Sequence, residues 1–166
     1  MKNRLKVLAQ YAIPKQAITA LAGKLAHYHG GETTTKVINW FVKRYNVNMA
    51  EAANPDISSY KTFNEFFTRP LREGVRPIAE AAFICPVDGA ISQFGSIEKN
   101  QIFQAKGHHY STAALLGGDK SSAKRYENGE FACLYLSPRD YHRIHMPCDG
   151  KLVKMTYVPG DLFSVN

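Results

Sequence analysis

The run SPRDYHRIHMPCDG, residues 137–150, sets His142 and His145 three positions apart, with two acids and two arginines in the same stretch. Imidazole gains and loses its proton near neutral pH, so two nearby histidines suit general acid–base work. A second candidate is Asp88 in CPVDGAIS, residues 85–92. A carboxylate that accepts from an imidazole fixes its tautomer and stabilises the imidazolium, so that the other ring nitrogen can serve as a base. Plainer readings stay open on the residues alone. Asp88-Gly89 is also an ordinary hairpin turn, and the two histidines also suit a partly exposed loop. Asp140, His142 and His145 are zinc-ligand types, but they lack the HExxH pattern and need not share a face. A Cys148–histidine nucleophile pair has no local signature.

The elements around these residues follow from local chemistry. Ser137, Pro138 and Asp140 predict a single helical turn capped by the serine. Pro147 disfavours helix at Met146, so 143–147 is expected to be extended, and Asp149-Gly150 to turn the chain into another strand. His145 would then point opposite to Ile144 and Met146, and with those two in the core it would face a cleft or solvent. From residue 83 onward, short apolar runs alternate with Asp-Gly, Gly-Ser and Pro-Gly. That texture predicts strands near 83–87, 90–97, 101–105, 130–136, 143–147 and 151–158, with one short helix from Ser111 to Gly117-Gly118.

The earlier half reads as helices. Leu5, Leu8 and Ala12 share a face before Pro14, and Ile18, Leu21, Ala22 and Leu25 repeat at helical spacing up to Gly30-Gly31. A further helix is expected from about Thr34 to Tyr45, with Val37, Ile38 and Phe41 on one side and Trp40 close by. In TFNEFF, Thr62 and Glu65 have capping-box spacing, which predicts a short helix ending before Pro70. Arg69, Arg72 and Arg76, with Pro70 and Pro77, read as a solvated basic connector. The class is therefore α+β, with residues 1–45 an amphipathic helical segment, 46–82 a connector with a short helix, and 83–166 a β-rich antiparallel part.

The charge is uneven. Residues 1–45 hold eight basic side chains and one acid, whereas the remainder holds thirteen of each, so the net +7 belongs to the first quarter. Basic residues beside apolar and aromatic ones suit a helix lying in a membrane interface, or one docked on its own core with a basic outer face. No basic–aromatic pattern points to nucleic acid. No apolar run approaches the roughly 18–20 residues of a membrane span, and the start has no secretory signal pattern. Cys85, Cys133 and Cys148 are too few and too scattered for a disulfide framework, and are expected as buried, reduced thiols.

Five blocks in order, SYKTFNEFFTRPLREGVRPI, CPVDGAISQFG, QAKGHHYS, YLSPRDYHRIHMPCDG and YVPGDLFSVN, resemble the bacterial phosphatidylserine decarboxylase proenzymes. The resemblance runs from near the N-terminus to the last residue. It implies a β-rich catalytic domain and a precursor that cuts itself at the Gly-Ser bond of an LGST motif, turning the new N-terminal serine into a pyruvoyl group. That group is the electron sink while CO2 leaves phosphatidylserine to give phosphatidylethanolamine. Asp88 and His145 match the acid and base of the self-cleavage triad, and His142 matches the histidine that contacts the substrate carboxylate. No metal is implied. The basic helices would rest on an anionic phospholipid surface at the cytoplasmic face of the cell membrane, as a peripheral protein.

One departure stands out. LGST is absent, and the only Gly-Ser pair, Gly95-Ser96, lies where the family does not cut and reads as strand or turn. The chain is thus expected to be an N-terminal fragment with a truncated sheet, inactive alone. Its partners would be phosphatidylserine and the C-terminal (alpha) pyruvoyl subunit of the same precursor, with a homodimer left open. The alternative is a non-catalytic lipid-binding module of the membrane surface.

Overall fold

Helices come first and short antiparallel strands second in the computed structural model, which describes residues 14–98, 101–104 and 108–159. Helix α1 spans Lys15–Ala26 and α2 spans Glu32–Tyr45. Between them Gly31 takes φ +54° and ψ −122°, a conformation open in practice to glycine alone. The expected helix of Leu5, Leu8 and Ala12 lies outside the described residues. Helix α2 ends on Asn46, left-handed at φ 54°, a position that asparagine tolerates. Single 3-10 turns follow at Met49–Glu51 and Ile57–Ser59, each opened by an Asn or Asp side chain accepting from the backbone.

Helix α3, Phe63–Phe67, starts at Thr62, whose Oγ1 accepts from the Glu65 amide at 3.1 Å. The Glu65 carboxylate reaches back to the Lys61 amide at 2.8 Å, one residue earlier than in the usual box. Five residues cannot hold a helix alone; packing does it. Phe66 and Ile38 are fully buried with Val47 and Tyr60, and Phe41, Val42, Tyr45, Met49, Ile57, Phe63 and Phe67 pack around them. This core joins α2 to α3 across position 45. The side chains of α1 lie outside it: none is buried, and Ile18, Leu21 and Leu25 are each more than half exposed.

Among the described residues the sheet portion is two antiparallel pairs. Strand β1 (Ala90–Ser96) pairs with β4 (Glu130–Tyr135), Ala90 opposite Tyr135, with a bulge between Ile91 and Gln93. Strand β2 (Gln101–Gln104) pairs with β3 (His108–Ser111). Gly95-Ser96 lies inside β1, as expected for strand. Helix α4 (Thr112–Leu115) is capped by Ser111 and α5 (Lys120–Lys124) by Asp119; β3 and α5 had no sequence expectation.

Several expectations are corrected. Residues 83–87 and 143–147 form no strand. Ile84 donates to the Pro147 carbonyl and His145 to the Pro86 carbonyl, both at 2.8 Å. Each of these facing pairs contains a proline, which has no N–H to return, so only half of each antiparallel bond pair can form. Residues 151–158 also form no strand, because no described segment pairs with them, and Leu152, Val153, Met155 and Tyr157 stand exposed. Ile144 and Met146 face solvent rather than a core, and Cys85 and Cys148 are exposed rather than buried. Arg69 is no solvated connector residue: it is 4% exposed, with its guanidinium over the Phe66 ring at 5.2 Å.

Candidate functional site

The 137–145 run is moored to the end of α3. Arg143 Nε donates to the Thr68 carbonyl at 2.7 Å, and Arg69 Nη2 donates to the Arg139 carbonyl at 3.3 Å. Burial pushes the Arg69 guanidinium below its ordinary value. The turn itself closes differently from the expected serine cap. The Ser137 amide donates to Asp140 Oδ2 at 2.6 Å and the Asp140 amide to the Ser137 carbonyl at 2.9 Å, while the Ser137 hydroxyl is buried and unpartnered.

This turn presents two differently held imidazoles. His142 is half-buried, 4.1 Å from the Phe67 ring centroid, and its Nδ1 lies 2.9 Å from the Asp140 carbonyl. A carbonyl only accepts, so Nδ1 carries a proton and Nε2 is the nitrogen left open. His145 is exposed and stacks on buried Tyr141, with ring centroids 5.5 Å apart and Nε2 bonded to the tyrosine hydroxyl at 2.9 Å. Among the described residues nothing bonds its Nδ1.

Asp88 reaches the same neighbourhood from the other side. The backbone bond from His145 to Pro86 sets the histidine opposite a residue two before Asp88. Gly89 follows, so close to the Tyr135 carbonyl that a Cβ there would stand 2.6 Å from the oxygen. Arg76 binds the half-buried Asp88 carboxylate through Nε at 2.8 Å and Nη2 at 2.6 Å, both on Oδ2. The same Nη2 bonds Glu51 Oε2 at 2.7 Å, and Nη1 bonds the Val75 carbonyl at 3.1 Å. The two carboxylates hold the Arg76 guanidinium above its already high ordinary value, Asp88 contributing most. Glu51 is fixed in turn, because 51–53 pairs irregularly with 70–72 through Ala53 to Pro70 and Arg72 to Glu51 backbone bonds.

Asp88, Arg76, Glu51 and Tyr141 line one cavity of about 270 Å³, together with Arg69 and Asp140. A larger, shallow hollow of about 510 Å³ beside the start of α2 contains none of the candidate residues. The structure therefore brings Asp88 and Tyr141 to one cavity, while His145 stacks on Tyr141 outside its lining, with no direct bond between Asp88 and His145 among the described residues. His142 sits to the side, on Phe67. Sequence reasoning missed Arg76, Glu51 and Tyr141. Arg76 was merged into a basic connector, although its spacing before Pro77 marks it as a side chain whose backbone direction is fixed. No group of three or more His, Cys, Asp or Glu among the described residues stands close enough to hold a metal. Among the described residues no hydrogen bond engages Nε2 of His142, Nδ1 of His145 or Oδ1 of Asp88.

Comparison with known proteins bears on this arrangement. A family model described as phosphatidylserine decarboxylase matches residues 63–166, and a second, described as PSD, matches residues 5–46. The chain is 72% identical over its 166 residues to the phosphatidylserine decarboxylase proenzyme of Dechloromonas aromatica (strain RCB), covering all of this chain and 59% of that protein. It is 69% identical to the proenzyme of Methylobacillus flagellatus, again over all of this chain and 59% of the relative. For Albidiferax ferrireducens the values are 67%, the whole chain and 58%. The chain thus spans about three-fifths of the length of the curated relatives it matches.

Proposed function

The chain belongs to the phosphatidylserine decarboxylase family, and from that premise we propose that it carries the acid–base half of a self-processing enzyme that converts phosphatidylserine to phosphatidylethanolamine and CO2. His145 is the base that takes the proton of a serine hydroxyl, so that the oxygen attacks the preceding peptide carbonyl. Asp88 orients that imidazole and stabilises it once charged. The observation carrying this reading is the match of open atoms on two neighbouring segments. Among the described residues Oδ1 of Asp88 and Nδ1 of His145 have no hydrogen-bond partner, while Nε2 already holds a hydroxyl, that of Tyr141.

The serine lies outside these 166 residues, which contain no Leu-Gly-Ser-Thr run. A pyruvoyl group formed from it would supply the electron sink for decarboxylation. His142 is held through Nδ1–H on the Asp140 carbonyl, which turns Nε2 to the substrate; with Nε2 also protonated, the imidazolium would donate to the substrate carboxylate and return that proton after CO2 leaves. The partner is then the C-terminal subunit of the same precursor that bears the pyruvoyl group. Residues 83–166 serve the chemistry, 1–45 the membrane, and 46–82 join them.

Membrane contact is the other part of the proposal. Trp40 shares a face of α2 with Lys36 and Lys43, and it is exposed, as are Leu21 and Leu25 of α1 beside Lys24. Apolar and aromatic side chains flanked by lysines suit the headgroup layer of an anionic bilayer, where the substrate resides. No helix among the described residues is long and apolar enough to cross a membrane, and the reading is peripheral association at the cytoplasmic face.

The test uses the full-length precursor. His142→Ala is expected to leave self-cleavage intact and to cut CO2 release from phosphatidylserine vesicles by about 10²-fold or more. Undiminished CO2 release would remove His142 from the reaction. Vesicle binding by a precursor that neither cleaves nor releases CO2 would favour a lipid-binding module without chemistry.

A further inference from the structure

We propose that Arg76 is a positioning residue for Asp88, with Glu51 as its anchor in the helical part of the chain; this rests on the reading of Asp88 and His145 as orienting acid and base. Asp88 lies in a stretch without regular structure, between the half-formed pairing at Ile84–Pro86 and the start of β1. Backbone geometry alone leaves its side chain free to turn. Arg76 removes that freedom, since two of its nitrogens converge on Oδ2 at 2.8 and 2.6 Å. The consequence is asymmetric: Oδ2 is taken by Arg76, and no described residue bonds Oδ1, which leaves that oxygen open to the Nδ1–H of His145 in the proposed scheme.

Arg76 is itself held at every nitrogen. Nη2 also reaches Glu51 at 2.7 Å and Nη1 reaches its neighbour's carbonyl at 3.1 Å. Glu51 closes a 3-10 turn whose backbone accepts from Arg72, so the anchor is fixed by main-chain bonds as well. A lysine offers donors from a single atom and cannot reproduce a two-nitrogen grip on Oδ2 while bridging to Glu51, although it keeps the charge. Arg76 touches no reacting atom in this scheme. It acts through Asp88.

The experiment measures self-cleavage of the full-length precursor by gel and mass spectrometry, with a thermal melt of each variant. Asp88→Asn is expected to slow cleavage by about 10²–10⁴-fold. Arg76→Gln is expected to slow it by about tenfold or more, Arg76→Lys to recover little of that loss because the charge alone does not orient Asp88, and Arg76→Gln to add nothing on an Asp88→Asn background. A wild-type rate for Arg76→Gln, or a loss that multiplies with that of Asp88→Asn, overturns the proposal and leaves the roles of Asp88 and His145 standing. A wild-type rate for Asp88→Asn overturns both. Should Arg76→Gln lose its cooperative melt, Glu51→Gln decides: about threefold slower cleavage with an unchanged melt is expected, and an unchanged rate contradicts it.

Discussion

His142 and His145 sit three residues apart, yet the backbone gives them different free nitrogens. The Asp140 carbonyl claims Nδ1 of His142, whereas the Tyr141 hydroxyl claims Nε2 of His145. Neutral His142 is therefore expected as the Nδ1–H tautomer in ¹⁵N spectra of the full-length protein; an Nε2–H pattern would contradict the assignment. The pair was legible in the sequence because both residues lie in one short run. The grip on Asp88 was not, because Arg76 reaches it across 12 residues and Glu51 across 25. Tyr60 gives a pH prediction at the same scale. Burial pushes its phenol above the ordinary value, against a smaller downward pull from Arg69, and the hydroxyl donates to the Asn54 carbonyl at 2.6 Å. The folded state thus holds this proton more tightly than the unfolded state. Its contribution is complete below the ordinary tyrosine value of about 10 and is lost as pH rises through the folded value. Melts between neutral and strongly alkaline pH should fall more steeply for the parent than for Tyr60→Phe; equal slopes would contradict this.

Helix α3 illustrates what local pattern reads well and what it does not. Thr62 and Glu65 fixed its start from spacing alone, and removing the cap with Thr62→Ala should cost about 1 kcal/mol in denaturant melts. Phe66→Ala should cost about 3–5 kcal/mol, because the fully buried ring touches aromatic partners from α2 and Tyr60. A loss below about 1 kcal/mol for Phe66→Ala would mean that this cluster is not the core. Strands β1 and β4 were legible from their apolar runs and bounding turns. The failures at 83–87 and 143–147 come from Pro86 and Pro147, each removing the return hydrogen bond that a ladder needs. Both prolines were visible, but their facing partners, His145 and Ile84, were not. Helix α5 carries a cap in Asp119, whose bonds from Ser122 and Ser121 hold the carboxyl well below its usual range. Its five residues, four of them polar and one the buried Ala123, offer no periodicity by which to find it.

Across the whole chain, the charge asymmetry and the exposed side chains point the same way. The N-terminal quarter bears the positive excess, and α1 and α2 expose Leu21, Leu25 and Trp40 beside lysines. Binding of the full-length protein to phosphatidylserine-containing vesicles should weaken with added salt and with Trp40→Ala, and binding indifferent to both would contradict the membrane role. At the other end Leu152, Val153, Met155 and Tyr157 lie open on a segment that pairs with no described strand. The 166-residue chain expressed alone is therefore expected to self-associate in light scattering, and a monodisperse, cooperatively melting monomer would contradict that. The overall α+β order was legible from where turn signals replace helical spacing. The assembly of Glu51, Arg76, Asp88 and Tyr141 at one cavity depends on tertiary pairing that no single stretch encodes. The most direct test of the account is the full-length precursor carrying His145→Ala, followed by gel over time. It is expected to remain a single uncut band while retaining a cooperative melt. Division into two pieces at the parent rate would contradict the assignment of His145 as the base.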